Sequence, residues 1–360
     1  MTTYPGSGIV TQFCGPVAEG TYGVAPTLTG AHFYAIQSCG LAAKKQIAQG
    51  VGLFSGALHP QASRRVIAGW DCSGPVSMEA PTRNFQQWLL PMFGSYGQAN
   101  ATLTQDASTG AYKSVHYPGP LQSNSFAVQK GITTVDGTTE PLTYVGCKIS
   151  DWSLTVEKHG IAQLAYNIVA RNELGGNLNS DPLNNSLPGL VTYSKPIGSV
   201  FHWAQGTLFY GGTASTTSNV TSVSGASTAG NIRKATIKYT EPTDPDRYFL
   251  GQSGFRSEPI DNALRAISLE IEVEWLSALT YQNTFYADTP AALQLQFQGP
   301  VIGSGSDHSL LSILIPEMFV DDAPTPVNGT SVITQTIPLT GLDDGSNNPI
   351  QATYWTLDTA

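Results

Sequence analysis

The chain has 360 residues, with 17 Lys and Arg against 26 Asp and Glu and a formal net charge of -9. Charged residues make up only 12%, about half of ordinary usage (~25%), while 37 Gly and 23 Pro accompany long runs of Thr, Ser, Asn and Gln. This composition excludes a helical bundle and a cationic nucleic-acid-reading surface, and points to frequent turns between strands whose exposed faces carry hydroxyls and amides.

In chain order, Met1 to Val10 has neither a basic nor an apolar signal region, and no stretch approaches the ~20 apolar residues of a membrane span. Leu41 to Gln49 reads as a helical turn or two. Gly50-Val51-Gly52-Leu53-Phe54-Ser55-Gly56 approximates a dinucleotide loop but sets its last glycine one residue late and lacks a βαβ context, so a turn beside a strand explains it better. The clearest helical periodicity runs from Thr82 to Phe93. Thr82 is placed as N-cap, Phe85, Trp88, Leu89 and Met92 share one stripe, and Pro91 predicts a stop or kink at Leu90.

Further along, Trp152, Leu154 and Val156 alternate with Ser153, Thr155 and Glu157. Lys158-His159-Gly160 supplies a turn, and Leu164, Tyr166 and Ile168 continue in a second strand, which together predicts a β-hairpin. Asn177 to Leu187 is turn-rich. Gly211 to Gly230 is built from small polar residues and predicts a mobile loop. Strands are predicted over Lys234 to Tyr239, around Leu269, Ile271, Val273 and Trp275, around Leu293, Leu295 and Phe297, and over Leu310 to Ile315, Ser331 to Leu339 and Ile350 to Trp355.

Chemistry-bearing patterns are few. The four cysteines, Cys14, Cys39, Cys72 and Cys147, form no C-x-x-C pair, and the six histidines include no H-x-H or H-E-x-x-H, so no metal set is expected. Gly303 to Asp307 has the composition of a nucleophile elbow without its spacing. Asp321-Asp322 and Asp343-Asp344 are sequence neighbours, which a strand points to opposite faces. No catalytic, cofactor-binding or metal residue is therefore assigned. Glu270, Glu272 and Glu274 stand apart, because i, i+2 and i+4 share one strand face at ~6.8 Å spacing and repel unless solvated or matched by cations. They are either an ordinary solvated face, or a negatively charged lining, or a rim that meets basic groups on another subunit.

Several segments in order resemble the major tail tube protein of long-tailed, non-contractile (siphovirus-type) bacteriophages. The most specific is Tyr144-Val145-Gly146-Cys147-Lys148-Ile149-Ser150-Asp151-Trp152 running on to Val156 and, past a glycine turn, to Ile161-Ala162-Gln163-Leu164. Gly69-Trp70-Asp71-Cys72-Ser73-Gly74-Pro75-Val76 leading to the helix that ends at Phe93-Gly94 is a second match. Glu19-Gly20-Thr21-Tyr22-Gly23-Val24-Ala25 resembles the family's N-terminal entry, and Ile313 to Pro316 with Val332 to Leu339 resembles its closing strands. The resemblance implies a mainly β subunit, a tail-tube-type β-sandwich or barrel with one flanking α-helix and extended loops, forming a single domain over residues 1–360. Residues 95–143 would be an elaboration and 211–230 a flexible loop, for which contact with a neighbouring ring is expected.

The same resemblance implies a structural, non-enzymatic virion protein without cofactors. Its copies would assemble in the host cytoplasm into rings, usually of six, stacked into a hollow tail tube that conducts the genome. Its partners would be itself, a tape measure, a tail terminator and baseplate or distal tail proteins. DNA would transit without specific binding, and no membrane is involved. An acidic bore suits that task, since carboxylates repel phosphates whereas a basic lining traps them by counterion release. A different class of reading, a carbohydrate- or surface-binding β-sandwich, rests on Trp70, Trp203, Trp275 and Trp355, which either stack on sugar faces or pack a core. A β-type hydrolase has carboxylates enough but no placed nucleophile or base.

Overall fold

A computed structural model describes residues 5–52, 55–56, 58–175, 188–275, 280–325, 327, 330 and 332–359. The turn-rich stretch Asn177 to Leu187 lies outside the described residues. The N-terminal part holds β1 (Gln12–Ala18), β2 (Ile36–Cys39), β3 (Ala42–Gln49), β4 (Arg65–Glu79) and helix α1 (Gln86–Phe93). Then come β5 (Thr104–Gln105), β6 (Tyr112–His116), β7 (Phe126–Thr133), β8 (Thr139–Glu157), β9 (Gln163–Ala170) and β10 (Asn172–Leu174). The next group is β11 (Gly206–Tyr210), β12 (Thr213–Thr217), β13 (Val220–Ser224), β14 (Ser227–Thr228), β15 (Ile232–Thr240) and β16 (Ala266–Glu274). Helix α2 (Thr280–Ala287), β17 (Ala291–Val301), β18 (His308–Val320), β19 (Thr334–Gly341) and β20 (Gln351–Thr356) complete the chain.

The fold is mainly β, and its ladders are antiparallel. One layer runs β3–β4–β9–β8–β15–β16–β19. A second runs β14–β11–β17–β18–β20–β6–β5. The two join where Leu339–Gly341 of β19 pair with Met318–Val320 of β18. A smaller sheet, β1–β7–β8–β10, uses the first half of β8. Strand β8 therefore changes sheets midway, at Gly146, whose φ of 63° is left-handed. A Cβ there would lie 2.6 Å from the Arg171 side chain, so only glycine fits both the backbone and the space.

The alternation over 152–168 becomes the β8–β9 hairpin, with His159 at φ 62° in its turn. The strands predicted from Lys234 onward also form, as β15 to β20, with β19 starting at Thr334; Ser331, where that prediction begins, lies outside the described residues. Their inward residues, such as Trp152, Ile237, Ile271 and Ile337, are fully buried and share one core with β17, β18 and β20. Helix α1 contributes to that core more than a flanking helix would. Trp88 stacks on Tyr166 at 4.6 Å, Phe93 meets Trp152 at 5.4 Å, and Phe85 meets Tyr354 at 6.0 Å. It is wedged between strands of both layers.

Four expectations are corrected. Thr82 is not the N-cap; Phe85 occupies that place, while Thr82 is bonded to Ser199 on another segment. Pro91 does not end the helix at Leu90, since burial of Met92 and Phe93 holds the last turn and Gly94, at φ 57°, closes it with its N–H on the Leu90 carbonyl. Leu41 to Gln49 is no helix, because Ala42–Gln49 pairs along its length with β4. Gly211 to Gly230 is no unstructured loop: β12 and β13 form a hairpin whose two-residue turn, Ser218-Asn219, has φ of 51° and 63°, the geometry favoured in tight hairpins. Gln351 fastens it through Oε1 to the Thr221 N–H and Nε2 to the Thr221 carbonyl. A second helix, α2, was not legible from periodicity. Residues 95–143 supply β5 to β7 and the start of β8, and these strands pair with β20, β1 and β10 outside the segment.

Candidate functional site: the polar face of the main sheet

Because side chains alternate along a strand, burying Trp152, Leu154 and Val156 turns Ser153, Thr155 and Glu157 outward, and the same holds for each neighbour. The register then assembles polar rows across the layer. One reads Ser77, Ala165, Ser153, Lys238, Ser268, Thr340, and the next Glu79, Gln163, Thr155, Thr236, Glu270, Pro338. A third reads Glu157, Lys234, Glu272, Thr336. Each full row spans about 24 Å at the usual ~4.8 Å between strands. This is a broad, continuous face of short hydroxyl and amide groups with charges toward one end.

Glu270, Glu272 and Glu274 all fall on this face, on β16. Cations of the same chain answer two of them. Arg233 donates to the Glu274 carboxylate through Nε at 3.1 Å and its NH2 group at 2.6 Å, and Asn231 adds a third donor at 3.0 Å. These bonds hold Glu274 below its ordinary pKa. Glu272 sits directly across from Lys234, whose ammonium lies 2.7 Å from Glu157. The hydrogen bond to Glu157, then the charges of Glu157, Glu270 and Glu272, raise the Lys234 pKa. Glu270 is exposed opposite Thr236 and Pro338. So the like charges are relieved by interleaved cations, which the β16 sequence by itself does not display; the signal was the Arg233-Lys234-x-x-x-Lys238 spacing on β15.

No group of three or more His, Cys, Asp or Glu suited to a metal occurs among the described residues. The four cysteines are free thiols. His116 is fully buried between Ser95 and Ser114, and burial lowers its pKa to about 3, which suits a core hydrogen-bonding group rather than a proton shuttle. The tryptophans of the carbohydrate reading are partly covered: Trp70 stacks on Phe255 at 6.5 Å with Lys45 above it, and Lys113 lies 4.2 Å over Trp355. No helix among the described residues is long and apolar enough to cross a membrane.

The sequence by itself does not mark Glu19, Glu241 and Asp358 as buried carboxylates. Glu19 accepts hydrogen bonds from Gly23 N–H at 2.9 Å, Ser125 hydroxyl at 2.6 Å and Gly146 N–H at 2.6 Å. Burial nonetheless raises its pKa to about 7. It is a structural clamp on the point where β8 changes sheets.

A family model described as phage tail tube protein matches residues 15–341. A search of curated proteins found no match.

Proposed function

Because the chain belongs to the phage tail tube protein family, we propose that its copies close into rings, six to a ring, that stack into the hollow tail tube of a siphovirus-type phage with the polar face of the main sheet toward the bore. The protein is a structural component of the tail, and the finer reading is that DNA passes over this face during ejection without being held. The observation that carries the reading is the face itself. It is wide and flat in register, it exposes Ser, Thr, Gln and Glu, and its Arg233 and Lys234 are engaged by Glu274 and Glu157. Phosphates gain by displacing counterions from unpaired cations; with Arg233 and Lys234 already holding carboxylates, Lys238 is the cation of these rows without an ion pair among the described residues, and the face offers phosphates little beyond it.

On this reading Glu270, Glu272 and Glu274 line the bore, and the chain carries out no catalysis. Assembly in the host cytoplasm, and docking to a tape measure, a terminator and baseplate proteins at the tube ends, complete the proposal. Electron microscopy of the purified chain tests it: six-fold annuli or hollow rods are expected, with the β16 face inward, whereas discrete monomers at high concentration and with added terminator or baseplate complex would refute it.

A further inference from the structure

The charges of this chain are segregated along its length. Residues 42–67 hold Lys44, Lys45, Arg64 and Arg65 and no Asp or Glu, while residues 266–360 hold eleven carboxylates and no Lys or Arg. In the first segment β3 and the start of β4 form a distal ribbon whose described residues are exposed on both faces, save the half-buried Ala43. Ile47 pairs across from Ile67 on one side and Val66 points to the other, with 45%, 53% and 56% exposure. A two-stranded ribbon with apolar groups on both faces and, among the described residues, no layer over either cannot owe its form to a core of its own.

The root of this ribbon is braced. Trp70 N–H donates to the Gly254 carbonyl and Tyr248 hydroxyl to the Trp70 carbonyl, both at 2.9 Å, and Arg256 pairs with Asp71 at 2.6 Å. The bracing loop also leaves Phe249 half exposed and Leu250 fully exposed beside the ribbon, extending its apolar surface. The arm is thus held out at a fixed angle, ready to bury apolar area without an ordering cost.

An acceptor of matching character lies where β18 leaves β19. Glu317, Asp321, Asp322, Asp343 and Asp344 gather there around Leu342, which is 52% exposed. The Leu342 N–H donates to the Glu317 carbonyl at 2.9 Å and the Thr340 hydroxyl to Asp321 at 2.7 Å, which fixes the two segments together. None of these carboxylates forms an ion pair among the described residues, and burial together with the Asp344 charge raises the Glu317 pKa. Other acids of the same segment are answered: Asp307 by Lys113 and Glu274 by Arg233.

Resting on the self-assembly proposed above, we infer that the basic apolar arm of one copy docks on the acidic surface around Leu342 of a second copy. The contact is heterologous: arm and acceptor are different surfaces, so it propagates from copy to copy rather than closing a pair. Charge complementarity sets partner choice and encounter rate, and the apolar groups supply the burial.

A charge swap tests this on the full chain. K44E/R65E acts at exposed positions, with Lys44 lying across from Asp71, and D321K/D322K removes the acceptor of the Thr340 hydroxyl, so each is assayed at a temperature at which its melting curve shows it folded; there each should lose at least tenfold in polymerised fraction by sedimentation and electron microscopy. A chain carrying all four substitutions, and an equimolar mixture of the two double variants, should polymerise again. Wild-type-like polymerisation of either double variant overturns the docking, as does failure of both rescues, while rods formed by wild type leave the self-assembly reading standing. A wild-type chain that never polymerises overturns that reading first, and the docking with it.

Discussion

The Glu19 carboxylate accepts the Gly146 N–H at 2.6 Å across 127 positions of sequence, tying the N-terminal entry to the residue at which β8 changes sheets. Glu19→Ala removes the acceptor of the buried Gly146 N–H and Ser125 hydroxyl. An unpaired buried donor costs about 1–3 kcal/mol, so a drop of at least that size is expected in urea unfolding, with Gly146→Ala more damaging still because it adds a Cβ where none fits.

Acidification should stabilise the fold through Glu19 and Glu241. Burial raises both to about 7 from the ordinary 4.5, and for Glu241 it outweighs the attraction of Arg265 at 3.2 Å. A carboxylate with a raised folded-state pKa contributes stability that is full below 4.5 and is lost as pH rises through 7. His116 opposes this. Its pKa is lowered to about 3, so its contribution is full above 6.5 and declines as pH falls toward 3. Melting temperatures from pH 7.5 to 5 should rise less in Glu19→Gln than in wild type; an unchanged slope would place the titration elsewhere.

Trp88 touches Tyr166, Phe13, Tyr34 and Phe126 and is fully buried. Trp88→Ala should cost about 3–5 kcal/mol, as large aromatic truncations in packed cores do. Chemical denaturation reads it directly, and loss of near-ultraviolet ellipticity should accompany it.

Lysine at 270, 272 and 274 separates two roles for the β16 face. If the face lines the bore, the triple variant assembles tubes of normal length but ejects DNA more slowly, because Arg233 loses Glu274 and three further cations join the face, giving phosphates unpaired cations, while Lys234 keeps Glu157. If rings fail to form, the glutamates belong to a contact between subunits.

The β12–β13 hairpin is expected to contact a neighbouring ring. Replacing residues 213–224 with a short Gly-Ser link should leave ring formation intact, since among the described residues the hairpin pairs with no other strand, but shorten tubes or lower their yield. Unaltered tube length and yield would remove that role.

How much was legible in the sequence follows from how far each cause lies along the chain. The period-two pattern of β8, β9, β16 and β17 is local: within eight residues the apolar set chooses a face, so strand identity, fold class and the outward position of Glu270, Glu272 and Glu274 could be read directly, and the ordered segments around Tyr144 and Gly69 pointed to the family. Distance decided the rest. Ala42–Gln49 has helix-forming residues and no alternation, and became a strand only because β4 offers a partner. Residues 213–224 have only Ala214, Val220 and Val223 as apolar residues, and their hairpin is fastened by Gln351, about 130 positions away. The cations that answer the glutamates arrive from β15, across a loop and a turn. Local propensity is worth tenths of a kcal/mol per residue, whereas a paired strand edge or a compensated charge is supplied by the fold, so tertiary pairing prevailed wherever the two disagreed.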